Sequence, residues 1–295
     1  GVLSHDLQPN RTYAEVSRVA EELKRLGQQL VNLKKDNQVA ILFSADSANA
    51  LSYMPYSDHA DYMTTLQQMY GALYDLNVEP DFVAAGDASL SRYKVLLVPP
   101  LYSASDGILQ QLCDFVKNGG QVVMAFKSGF TNEFSQEFTN LPEPERLAPD
   151  AYGVGDQNKG AIWEEFLIPD TAEVIASFDD PYWKFPAITR NHYGNGILTY
   201  EGTVVSDSLQ CEIVREVLKR AGLTGSDQTL PATVKVRHGR NAQGKLLHYY
   251  LNFSGEEQSF PYPYGNGSDL LTDTSLRVGQ ALKLKPWDLA IVAEQ

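Results

Sequence analysis

Three short apolar runs, and the helical patterns between them, constrain the fold of this chain more than any other feature. Val39-Ala-Ile-Leu-Phe43, Lys94-Val-Leu-Leu-Val-Pro-Pro100 and Gln121-Val-Val-Met-Ala-Phe126 are almost continuously apolar, as strands buried on both faces are. Asp81-Phe-Val-Ala84 reads as a short strand. Between them, residues 58–76 repeat Tyr62, Leu66, Met69, Tyr70, Leu73 and Leu76 at helical spacing. Ser105 with Asp106 opens a further helix, whose apolar face is Ile108, Leu109, Leu112, Phe115 and Val116 and which stops at Asn118-Gly119-Gly120. Strand and helix alternating over short turns predict an α/β fold with a doubly wound parallel sheet.

An amphipathic helix over residues 13–34 precedes this pattern, with Val16, Val19, Ala20, Leu23, Leu26, Leu30 and Leu33 on one stripe and Thr12 with Glu15 as a capping box. Residues 128–160 are irregular and proline-rich. Strands are expected at Ala172–Ser177 and Gly196–Tyr200, and a helix from Ser206 to Ala221. Beyond Thr224 the character changes. Thr233–His238 alternates, Lys245–Phe253 is aromatic and β-prone, and Asn241-Ala-Gln-Gly244 reads as a hairpin turn, with further strands at Gln258–Tyr262, Asp269–Thr272 and Ala281–Lys285. The expected organisation is one α/β domain over residues 1–228 and a small antiparallel β domain over 229–295.

Charge narrows the function classes. Thirty-seven acidic against 24 basic residues give a net charge of −13, which repels phosphate backbones and anionic lipid, so neither nucleic acid nor a membrane is an expected partner. No apolar run approaches the roughly 18 residues of a membrane span. Gly1-Val-Leu-Ser-His5 has the features of no signal peptide, which favours the cytoplasm and leaves the compartment open. Cys113 and Cys211, each inside a helical pattern, are expected to be small buried apolar side chains.

Candidate chemistry is sparse. Pro99-Pro-Leu-Tyr-Ser-Ala-Ser105 has no glycine-rich turn to cradle a phosphate, and no cofactor is expected. His5, His59, His192, His238 and His248 form no HxH or HxxxH pair, so no metal site is expected. Retaining glycoside hydrolysis needs two carboxylates ~5–5.5 Å apart. Glu164 and Glu165 are neighbours in a helix-like segment and face different ways, and the isolated Glu201 reads as solvated. Phe260-Pro-Tyr-Pro-Tyr264 and Asp180-Pro-Tyr-Trp-Lys-Phe185 could stack on sugar rings, although such residues are more often packing.

Phe185-Pro-Ala-Ile-Thr-Arg-Asn-His-Tyr-Gly-Asn-Gly-Ile-Leu-Thr-Tyr-Glu-Gly-Thr203 resembles a stretch in the middle domain of family 42 glycoside hydrolases, the β-galactosidases. Tyr93–Tyr102, Phe115–Gly120, Trp163–Leu167 and Ala172–Val174 resemble further parts of that domain, in order. Gly1–Asp6 with Pro9, Arg11, Tyr13 and Glu15 looks like the segment that links it to the catalytic barrel. Leu251–Ser254, Asp269–Thr272 and Leu284–Trp287 resemble the family's small C-terminal β domain. The stretch between Gly155 and Trp163 is shorter than is usual in the family.

The resemblance implies a flavodoxin-like, class I glutamine-amidotransferase-like unit that joins the enzyme into a trimer, with a catalytic barrel as its partner. It implies that both catalytic glutamates lie in that barrel, for which no eightfold βα pattern exists here, so this chain alone is expected to be inactive. In the amidotransferase superfamily the strand after the Gly-Gly turn enters an elbow, Gly-x-Cys-x-Gly. The equivalent residues here are Phe126, Lys127, Ser128 and Gly129, with Lys127 where the nucleophilic cysteine would stand. A lysine without a neighbouring base is no acyl-transfer nucleophile, Ser128 has no recognisable His/Asp pair, and Lys127 is expected to be a surface or interface charge. Two other readings are a stand-alone amidotransferase-like enzyme and a carbohydrate-binding accessory domain.

Overall fold

The computed structural model describes residues 2–57, 60–87, 90–131, 161–179 and 184–295. The chain divides into two compact units, residues 37–225 and residues 1–36 with 226–295. The sequence expectation placed the first helix with the α/β sheet; by its contacts that helix belongs to the β unit. No helix among the described residues is long and apolar enough to cross a membrane.

Helix α1 (Arg11–Leu30) starts the β unit. Its cap is Asn10, which accepts from the Tyr13 N–H, so Thr12 lies inside the helix and the expected Thr12/Glu15 box does not form. Only Leu26 on its apolar stripe is buried; Val16, Val19 and Leu23 are exposed.

The α/β unit follows as β1 (Val39–Phe43), α2 (Ala45–Tyr53), α3 (Tyr62–Asp75), β2 (Asp81–Ala84), β3 (Val95–Val98), α4 (Asp106–Lys117), β4 (Gln121–Ala125), β5 (Ala161–Glu164), β6 (Glu173–Ser177), β7 (Pro186–Tyr193), β8 (Gly196–Glu201), β9 (Thr203–Val204) and α5 (Asp207–Arg220). Its main sheet has the order β2-β1-β3-β4-β8-β7-β6. The first five strands are parallel in the flavodoxin-like order, and β7 and β6 extend the sheet antiparallel. β5 pairs with β9 apart from it.

Alternate residues of each parallel strand feed two cores. Ile41, Leu97 and Val123 meet Leu66, Met69 and Leu73 of α3 and Ile213 and Val217 of α5. Leu42, Leu96 and Val122 meet Leu112, Phe115 and Val116 of α4. This two-sided burial is why those strands read as continuous apolar runs. Phe43 departs from it and is exposed at the end of β1. Helix α2 was not expected; Ser44 caps it and only Ser47 and Leu51 are buried, too few for a periodic signal. Cys113 lies on the outer side of α4 and is exposed, against the expected burial, and Cys211 is half-buried.

The β unit continues through β10 (Val234–Arg240), β11 (Leu246–Asn252), β12 (Gln258–Pro261), β13 (Gly267–Asp269), β14 (Ser275–Leu276), β15 (Ala281–Leu284) and β16 (Leu289–Glu294). Five strands form an antiparallel sheet, β10-β11-β16-β13-β14, and β12 pairs with β15. Tyr250, Phe260, Tyr262, Leu282 and Val292 pack on one of its faces. Leu26 of α1 packs with Leu247, Leu270 and Ile291 on the other. The strand expected at Asp269–Thr272 ends at Asp269, and β16 was not expected.

Candidate functional site

The carboxyl end of β4 is where a doubly wound sheet places reactive groups. Phe126 is buried and packs edge-on against Tyr56, which anchors the start of the elbow. Lys127 follows with φ of +54°, in the left-handed region that non-glycine residues seldom occupy. The Gly129 N–H donates to the Leu101 carbonyl at 2.8 Å, and Thr131 donates to Tyr102 at 2.9 Å, so the chain leaves the elbow bound to the loop after β3. A sharp turn of the nucleophile type is therefore present around a lysine.

The Ser128 hydroxyl and the Lys127 N–H of this turn both have partners. The Ser128 hydroxyl donates to the Ala125 carbonyl at 2.6 Å and accepts from the Leu101 N–H at 3.0 Å, which occupies it as a brace. Glu165 Oε1 accepts from the Lys127 N–H at 2.8 Å and from the Trp163 indole at 3.4 Å, while Oε2 accepts from the Tyr200 hydroxyl at 2.7 Å. Burial, then the adjacent Glu165 carboxylate, holds the Tyr200 phenol far above its ordinary value. The Lys127 ammonium lies 3.9 Å from the centre of the Trp163 ring, with Tyr102 and Phe130 within 6 Å. Burial lowers its pKa, and Glu165 partly offsets this.

The sequence expectation for Lys127 is a surface or interface charge. It is half-buried in an aromatic setting and tied to Glu165 through its backbone. Glu164 and Glu165 occupy a strand and its end rather than a helix; they do face apart, Glu164 outward and Glu165 toward the elbow. Trp163, Glu165 and Tyr200 were missed as elbow partners. The signal available for the first two was strand alternation, which puts residues 163 and 165 on one side. Lys127→Ala is expected to lower stability by about 1 kcal/mol through the lost cation–π contact. Lys127→Gly should recover about 1 kcal/mol of that by relieving the left-handed backbone. Equal midpoints for the two variants in urea would refute the strained elbow.

Residues 185–203 fold as the β7–β8 hairpin, turning at Gly194-Asn195, where Gly194 has φ of +59°. Their side chains have structural partners. Arg190 is buried and donates to Glu216 of α5 at 2.8 Å. Glu201, expected to be solvated, is 2% exposed, and Gln210 of α5 donates to its Oε1 at 2.8 Å. Burial pushes its carboxyl up to about 8.

The histidines are less scattered than their spacing suggested, because His238 and His248 face each other across β10 and β11 with Nδ1 atoms 2.8 Å apart. Among the described residues no group of three or more His, Cys, Asp or Glu side chains is arranged to hold a metal ion. Phe260 and Tyr262 are core residues, and Tyr264 stacks on His248, so none of these rings is presented to a sugar. His59 and Asp180–Trp183 lie outside the described residues, as do positions 132–160 of the irregular segment and the short stretch after Gly155.

Known proteins match along the whole chain. The family model for the β-galactosidase trimerisation domain matches residues 37–149 and 134–224. The model for the β-galactosidase C-terminal domain matches residues 234–294. β-Galactosidase BgaA of Clostridium cellulovorans is 26% identical over 99% of this chain and 46% of its own length. β-Galactosidase BgaB of a Geobacillus species is 28% identical over 97% of this chain and 45% of its own. The chain therefore spans about half the length of these curated relatives. The crystal structure of a β-galactosidase from Bacillus circulans sp. alkalophilus superposes with a TM-score of 0.85 at 23% identity, over 100% of this chain and 47% of that one. A β-galactosidase from Rahnella sp. R3 gives 0.82 at 20% identity, over 100% and 46%. At these identities the superpositions establish the fold.

Proposed function

The chain belongs to the family of β-galactosidase trimerisation domains, joined to the matching C-terminal β domain, and from this we propose that it is an assembly module that does no chemistry of its own. It associates with copies of itself into a trimer and serves a β-galactoside-hydrolysing barrel carried elsewhere in the same enzyme. The elbow fits this reading over a stand-alone amidotransferase. Lysine replaces the nucleophile, Trp163 covers its ammonium, and Ser128 is spent on bracing the turn.

The observation that carries the proposal is an uncharged apolar patch at the β2 edge of the seven-stranded sheet, where no further strand pairs among the described residues. Phe82 on edge strand β2 is 55% exposed and stacks on Tyr70 at 6.1 Å; Phe43 and Met63 are exposed beside it. They border an open hollow of about 420 Å³ with Leu66, Val83 and Ala84. Exposed edges and large apolar patches are surfaces that proteins ordinarily cover. Because copies with net charge −13 repel one another, apolar contact is the force available to join them. The stripe of α1 is exposed at Val16, Val19 and Leu23 and offers a second such surface in the other unit. Light scattering on the intact chain and on Phe82→Asp tests the reading.

A further inference from the structure

The C-terminal β unit holds a line of four titratable side chains. Asp227 lies in the turn at Ser226–Thr229, His238 on β10, His248 opposite it on β11, and Glu294 at the end of β16. His238 Nε2 is 2.8 Å from Asp227 Oδ2, the two Nδ1 atoms are 2.8 Å apart, and His248 Nε2 is 2.9 Å from Glu294 Oε1. Tyr264 stacks flat on His248 at 4.1 Å and donates to Asp227 Oδ1 at 2.6 Å. The Gly265 N–H donates to Glu294 Oε1 at 3.3 Å. Tyr262 and Tyr250 also lie against this line. Burial above all holds the phenols of Tyr250, Tyr262 and Tyr264 well above their ordinary range, so they remain protonated.

Each of the three contacts joins two atoms that carry lone pairs, so each needs one proton between them. Two carboxylates and two neutral imidazoles supply only two. We infer that Asp227, His238, His248 and Glu294 hold a third, shared proton and act as a pH-sensitive latch across β10, β11 and β16. Losing that proton as pH rises leaves one contact with lone pairs facing each other, and the join loosens.

The surroundings place the protons. Burial pushes His248 down, against the pull of Glu294, and so favours its neutral ring. Burial opposes ionisation of Asp227, but hydrogen bonds from His238 and Tyr264 overcome it and hold the carboxyl below its ordinary value. His238 then carries two ring protons, one donated to Asp227 from Nε2 and one to His248 from Nδ1. Neutral His248 donates from Nε2 to Glu294. With three protons all three contacts are closed, and the loss of one opens the line.

Ring-nitrogen NMR of the full chain, labelled at histidine and followed from about pH 5 to 9, reads these states directly. The expected wild-type spectrum shows one doubly protonated ring and one neutral ring in the Nε2–H form while the fold is native. Glu294→Gln supplies an amide donor to His248, so two ring protons suffice. The third proton should then leave at a pH lower by about one unit or more, and the neutral His248 proton should move to Nδ1. Two neutral rings throughout this range in a natively folded wild type would overturn the proposal, and that spectrum decides even if the variant fails to fold. Release at the same pH in both proteins, with no change of tautomer, would overturn it too.

Discussion

Glu201→Gln is expected to stabilise the chain strongly at about pH 9 and to leave it nearly unchanged at about pH 4.5. The residue ends β8, is 2% exposed, and accepts a hydrogen bond from Gln210. Burial moves its carboxyl from the ordinary 4.5 to about 8. The folded chain therefore keeps a proton that the unfolded chain releases at lower pH. Its contribution is fully present below 4.5 and is lost as pH rises through about 8. The slope in that window is about 1.4 kcal/mol per pH unit, which makes the whole effect several kcal/mol. Glutamine keeps the oxygen that Gln210 reaches and cannot ionise, so the penalty disappears. Urea unfolding of both proteins across this range measures it. Parallel stability curves would mean that the carboxyl ionises inside the fold without cost.

Gly196→Ala should be among the most damaging single-methyl additions in the chain. A Cβ there would lie 2.1 Å from the Val116 carbonyl oxygen and 2.3 Å from that of Gly120. Both belong to the end of α4 and its following turn, so no side chain can swing away. The hairpin docks on that turn through its own backbone, with Asn195 donating to the Lys117 carbonyl at 3.0 Å and Ile197 to Gly120 at 3.1 Å. Relief requires β8 to withdraw from α4, for which about 3 kcal/mol or more is a reasonable scale. At about 2–4 °C per kcal/mol for a unit of this size, the thermal midpoint should fall by roughly 6–12 °C. A fall of about 1 °C or less would show that this approach is looser than the geometry requires.

These two residues also mark what the sequence made legible. The motif at 185–203 stood out as a string, but its meaning is a hairpin whose glycines admit a helix end and whose Arg190 and Glu201 bond to α5. Parallel strands were readable because burial on both faces forces continuous apolar runs. β7 was hidden because Thr189, Arg190 and Asn191 find partners only in the folded sheet, and α2 because two buried residues make no periodic stripe. The stripe of α1 was visible, yet periodicity does not say what covers it, and half of it remains exposed.

The candidate site was legible in part. The resemblance located the elbow at Phe126–Gly129, and the lysine at its tip ruled out a thiol nucleophile. Its left-handed backbone could not be read, nor could the meeting of Tyr200 on β8 with Trp163 and Glu165 from β5 and its end, which only the folded sheet brings to the elbow. The facing of His238 and His248 depends on the register of one hairpin, and a one-residue slip would send them to opposite faces.

The mass of the intact chain in solution, measured by light scattering during size exclusion over a wide concentration range, tests the assembly reading most directly. Trimerisation through the sheet edge predicts a species of three times the chain mass that populates more fully as concentration rises. Phe82→Asp, which puts a charge into the patch at β2, should shift it to the single-chain mass while the far-ultraviolet spectrum is retained. A wild-type chain of single-chain mass at every concentration, or a trimer indifferent to Phe82→Asp, would contradict the account.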